Sequence, residues 1–123
     1  MLRRWLIRNR VNRRLDQRPC LEYEDWAAQF ELRSVPPPVA NFLWRFLSQC
    51  AGLHVGRIRP DDLLTDLGFP GCAYSDWELQ LVEDFQEETG VPLTPESLST
   101  GLRTIVDWAT FLASRFREHS GPS

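Results

Sequence analysis

Few side chains in this chain are placed to do covalent or acid–base chemistry. Cys20, Cys50 and Cys72 are widely spaced and form no C-x-x-C pair, so they give neither a zinc site nor a disulfide framework and suit a reducing, cytoplasmic compartment. His54 and His119 are far apart and lack a ligand partner at helical spacing. No Ser/His/Asp set and no carboxylate cluster facing a pocket is evident, and a chain without lysine holds no G-x-x-x-x-G-K phosphate loop. Ser75 heads the box Ser75-Asp76-Trp77-Glu78. There its hydroxyl can accept from an early helix amide while Glu78 reaches back, a structural role worth about 1 kcal/mol that requires no reaction. What remains is recognition chemistry, carried by two clusters of charge. Asp76, Glu83 and Glu87 fall on one side of a helix with Leu79 among them. Arg3, Arg4, Arg8, Arg10, Arg13 and Arg14 crowd the start of the chain. The first cluster suits a protein partner with a basic and apolar surface. The second suits weak, salt-sensitive contact with a polyanion.

The distribution of charge sharpens this division. Net charge is only −3, yet residues 1–18 hold seven arginines and one acid, while residues 60–102 hold ten acids and no base. A chain of 123 residues with 42% apolar side chains makes one globular domain with a modest core. No apolar run approaches membrane-spanning length, and Trp5-Leu6-Ile7 is too short for a signal-peptide core.

Helical spacing accounts for most of the rest. Residues 1–18 place Ile7, Val11 and Leu15 on one side, but Arg4 and Arg8 share it, so the expectation is a solvated basic arm. Tyr23, Trp26, Ala27 and Phe30 make one face of a short amphipathic helix within residues 19–35. Pro36-Pro37-Pro38 breaks the chain and opens a strong helix striped by Val39, Phe42, Leu43, Phe46, Leu47 and Cys50, with Cys50 expected as a small buried hydrophobe and Gly52 as the stop. A long loop covers residues 53–74. The acidic helix then turns Trp77, Leu81 and Phe85 to the core and ends at Gly90 and Pro92. One short turn is expected at Pro95–Leu98. A second capping box, Thr104-Ile105-Val106-Asp107, starts a last helix faced by Ile105, Trp108, Ala109, Leu112 and Phe116. Residues 118–123 form a tail.

The stretch from Arg57 to Phe85 resembles the acyl and peptidyl carrier proteins. Their loop has the form P-D-x-x-L-x-x-D-L-G, followed three residues later by a serine that receives 4'-phosphopantetheine and then by an E-L-x-x-x-L-E-x-x-F helix. Pro60-Asp61, Asp66-Leu67-Gly68, Leu81, Glu83 and Phe85 fall in register, with Leu64 offset by one place. Thr104-Ile105-Val106-Asp107 matches the start of the last carrier helix. The resemblance implies an all-α, four-helix acyl-carrier-like bundle over residues 36–117, preceded by the extra helix and the basic arm. It also implies that partners read the acidic helix at Asp76, Leu79 and Glu83. The attachment position, however, is Gly71, which has no hydroxyl. The expectation is therefore a non-enzymatic interaction module that carries no cofactor. One alternative is a genuine carrier using Ser75 for 4'-phosphopantetheine. Another is a nucleic-acid or anionic-membrane adaptor acting through the arginine arm.

Overall fold

The computed structural model describes residues 2–69, 76–93 and 102–120, with side chains over 5–69, 76–93 and 102–119. Five α-helices account for most of these residues: α1 (Leu2–Leu15), α2 (Tyr23–Glu31), α3 (Pro37–Arg45), α4 (Asp76–Thr89) and α5 (Ile105–Ser120). The chain is all-α. Among the described residues the nearest thing to a sheet is one isolated antiparallel bridge between Leu63 and Thr104.

Each helix follows from a local instruction. Proline occupies the first turn of α3, where its missing amide costs nothing. The α3 path continues through a π-helical turn, Phe46–Cys50, closed by the Ala51 amide on the Phe46 carbonyl at 3.0 Å. Gly52 then turns the chain at φ +70°, and Gly90 does the same after α4 at φ +77°. The box at the start of α5 forms as its sequence dictates. Asp107 Oδ2 accepts from the amides of Arg103 and Thr104 at 2.8 and 3.0 Å, and the Asp107 amide donates to Thr104 Oγ1 at 3.2 Å. That helix runs on to Ser120, past the expected end at 117, absorbing part of the expected tail.

The core is aromatic at both ends. Trp26 packs against Phe30 and Trp44 with centroids 4.4 and 5.2 Å apart, seating α2 on α3. Phe69, two per cent exposed, lies 4.9 Å from Trp108 and 5.4 Å from Trp77, so one loop residue joins α4 to α5. Phe42 meets Phe85 edge-on at 5.1 Å and locks α3 to α4. Such pairs add about 0.5–1.5 kcal/mol each beyond the area they bury. Leu64 and Leu67 are buried, as a loop that plugs the bundle requires.

Two expectations are corrected. The first 18 residues are not a solvated arm. α1 is a helix whose Val11 and Leu15 are three per cent exposed within the common core. Arg8 does not spoil the inner face because its stem lies along the bare backbone of Gly52, where a Cβ would come within 2.7 Å of Arg8 Cδ. Cys50 is exposed, because the π-helical turn rotates it off the stripe that buries Phe46 and Leu47. The turn expected at Pro95–Leu98 lies outside the described residues, as do Gly71, Cys72 and Ser75.

Candidate functional site

The orientation of α4 is fixed by what it buries. Leu81 and Phe85 are fully buried and Val82 nearly so, while Trp77 is half-buried with its ring edge-on to Phe69 and Phe46. With that side committed to the core, Asp76, Leu79, Gln80, Glu83 and Glu87 face outward. Leu79 is 40% exposed and stands among the outward acids of this helix. It borders a shallow hollow shared with Cys50, Trp77 and Gln80, and Asp76 and Glu83 form its acidic rim.

The far end of the helix is partly neutralised. Arg45 of α3 forms an ion pair with Glu88. Asp84 accepts from Gln80 Nε2 at 2.7 Å, and its other oxygen lies 3.5 Å from Cys50 Sγ. Among the described residues no cation lies within ion-pair distance of Glu83 or Glu87. The last turn of α4 carries acids and no base, so these carboxylates add to the negative end of the helix dipole. The sixth acid of this helix behaves differently. Glu78 is three per cent exposed, and burial pushes its carboxyl above the ordinary range. The sequence assigns Glu78 to the box with Ser75, which gives no sign that its body enters the core.

The arginine cluster is dispersed by the fold. Arg14 Nη2 donates to the Asp66 carbonyl at 2.7 Å, and Arg8 is half-buried over Gly52. Arg10 and Arg13 are exposed, and the side chains of Arg3 and Arg4 lie outside the described residues. Arg18, which closes this segment, pairs with Asp62 at 2.6 Å. The cluster is thus partly spent on holding α1 to the loop. The strongest signals missed in the sequence are Asn12 and Arg18, polar residues whose partners lie 39 to 44 positions away.

Among the described residues no group of three or more metal-ligating side chains comes together, and no helix is long and apolar enough to cross a membrane. Comparison of the chain with protein-family models, with curated proteins and with solved structures finds no match.

Proposed function

We propose that this chain is a cytoplasmic, acyl-carrier-like interaction module that is not an enzyme, carries no phosphopantetheine and binds a protein partner through the acidic face of α4. The observation that carries this reading is the exposure of Leu79 between the outward carboxylates of Asp76 and Glu83. This apolar anchor is framed by like charge. It suits a partner that presents arginines around an apolar notch. Steering by the charges would set the encounter rate and orientation, and burial of Leu79 would supply much of the affinity. The order of helices, the buried Leu64 and Leu67 of the loop, and the Asp66-Leu67-Gly68 turn support the carrier-like reading of the bundle. Gly71 at the attachment position argues against modification.

Two measurements test the proposal. Intact-mass spectrometry after co-expression with a broad-specificity phosphopantetheinyl transferase should leave the mass unchanged; a pantetheine increment at Ser75 or elsewhere would restore the carrier alternative. Pull-down from the native host should recover a partner with the wild type that is lost with Leu79→Ala and with Asp76→Lys/Glu83→Lys, once circular dichroism confirms that all are folded. Equal recovery by the three proteins would place the interface elsewhere.

A further inference from the structure

A cavity of about 330 Å³, which shares Cys50 and Trp77 with the Leu79 hollow, opens beneath the N-terminal turns of α1. Trp5, Leu53, Leu67, Phe69 and Trp77 supply apolar walls from α1, the loop and α4, and among the described residues the charged one lining it is Arg8. The cavity is open toward solvent at α1, where Trp5 is 49% and Ile7 37% exposed. Two glycines set its geometry. Gly52, at φ +70°, lets Arg8 lie against the backbone; a Cβ there would sit 2.7 Å from Arg8 Cδ and 3.1 Å from Nη1. Gly68, at φ +90°, lets Ile7 approach equally closely. The helix is therefore keyed to the loop at two points, and Arg8 is held beside the cavity.

Arg8 also has donors that the described residues leave unused. Among the described residues it makes no ion pair and no hydrogen bond, although it is half-buried beside aromatic rings. Nearby Arg14 and Arg18, by contrast, both find oxygen partners on the loop. A guanidinium fork in apolar surroundings is best completed by a carboxylate, which accepts two parallel hydrogen bonds. A single cation among the described lining residues matches a single negative charge, which does not fit the several charges of a nucleotide. The volume falls at the low end of the roughly 300–1,000 Å³ typical of ligand sites, which suits one medium-length chain and not a two-chain lipid.

We propose that this cavity binds an apolar monocarboxylate without covalent attachment, its hydrocarbon body among Trp5, Leu53, Leu67, Phe69 and Trp77 and its carboxylate on Arg8. The site does not rest on the reading of α4, with which it shares the Trp77 wall. Decanoate, kept below its self-association concentration, is the probe, titrated into the full chain by calorimetry and by amide and indole NMR. Saturable one-to-one binding is expected, with shifts at the indole groups of Trp5 and Trp77 and at the amides of Leu53, Leu67 and Phe69. Octanoate, two methylenes shorter, should bind roughly fifteenfold more weakly, because each buried methylene is worth about a fourfold factor. Decyltrimethylammonium, with the same chain and the opposite charge, should not compete. Arg8→Gln should lower decanoate affinity about tenfold or more, and Arg8→Lys should lose less. The proposal is overturned by an absence of saturable decanoate binding, or by shifts centred away from these residues in the wild type. Equal binding of decyltrimethylammonium, or undiminished affinity in a folded Arg8→Gln protein, would also overturn it.

Discussion

Arg18 Nη1 lies 2.6 Å from Asp62 Oδ2, and that same oxygen accepts the Arg59 amide at 2.8 Å. The Asp62 carbonyl accepts the Ile105 amide at 3.0 Å, so one loop residue ties the segment after α1 to the start of α5. The Asp62 side chain is 13% exposed and that of Arg18 is 41% exposed. The ion pair is therefore partly screened, and the buried turn contact carries more of the stabilisation. Asp62→Ala is expected to cost about 1–2 kcal/mol, because it strands the Arg59 amide and leaves the Arg18 guanidinium with the Arg57 carbonyl alone. Arg18→Ala should cost less, since Asp62 keeps its amide partner. Urea denaturation of both variants checks the order, and a larger loss for Arg18→Ala would show that the pair outweighs the turn.

Gly68 and Gly90 offer a comparison within one molecule. Both hold positive φ, at +90° and +77°, but a Cβ on Gly68 would sit 2.7 Å from Ile7 Cγ2, whereas one on Gly90 would meet nothing within 4 Å. Gly90→Ala should therefore cost only the backbone strain of a left-handed residue, about 1–2 kcal/mol. Gly68→Ala adds the displacement of α1 and should cost about 1 kcal/mol more, taking overpacking at its mild end. In an Ile7→Ala background the excess at Gly68 should disappear. Denaturation of the single and double variants measures that coupling directly, and equal losses at the two glycines would mean that α1 is not seated on the loop.

The helices from α2 onward are legible in the sequence because their signals are local. Stripes at helical spacing, the prolines before α3, the glycines after α3 and α4, and the Thr104–Asp107 box each act within a few residues. The exposure of Asp76, Leu79, Glu83 and Glu87 follows from the same periodicity once Leu81 and Phe85 are assigned to the core. The packing of α1 is not legible. Its inner face mixes Val11 and Leu15 with Arg8 and Asn12, with the exposed Arg14 at its edge, and these polar residues are admissible because the loop presents bare backbone and carbonyl oxygens at Gly52 and Asp66. Such complementarity exists only between segments remote in the chain. The exposure of Cys50 is hidden for a different reason, since nothing in the Phe46–Cys50 spacing announces a π-helical turn. The cavity beside Arg8 is hidden in the sequence for both reasons, since α1 and Cys50 both line it.

Glu78 should make stability depend on pH with a sign opposite to that of a salt-bridged acid. Burial raises its folded carboxyl above the ordinary value, so between the unfolded and folded values the native state holds more protons than the unfolded chain. Stability then falls as pH rises through that window and is greatest on its acid side, where both states are protonated. Glu78→Gln mimics the protonated form. It should flatten this part of the profile and raise stability at neutral pH relative to the wild type. Denaturation at several pH values from the carboxylate range to neutrality, done for both proteins, isolates the difference. A steeper fall in the glutamine variant, or an unchanged profile, would refute a buried, raised carboxyl.

The removal of α1 should damage the fold, not merely trim charge from it. Asn12 is nine per cent exposed, donates from Nδ2 to the Gly52 carbonyl at 3.1 Å and accepts the His54 amide on Oδ1 at 2.9 Å. It thereby satisfies two backbone groups just after the end of α3, where the chain leaves helical geometry. Asn12→Ala leaves both without that partner and should cost about 2 kcal/mol. A chain beginning at Pro19 also exposes the core that Val11 and Leu15 cover, each worth about 1.5–3 kcal/mol when fully buried. Summed, these losses approach the 5–15 kcal/mol that holds a typical domain together, so the shortened chain should melt far below the full one. Heparin retention should fall as well, since Arg10 and Arg13 are exposed, but the fall should vanish at high salt while the stability loss persists. Hydrogen exchange gives the local readout. The His54 amide should be protected in the full chain and should exchange much faster in Asn12→Ala, with amides in the middle of α5 slowed or hastened only as far as global stability changes. If the His54 amide exchanges equally fast in both, Asn12 does not hold the loop and α1 is only loosely laid against the bundle.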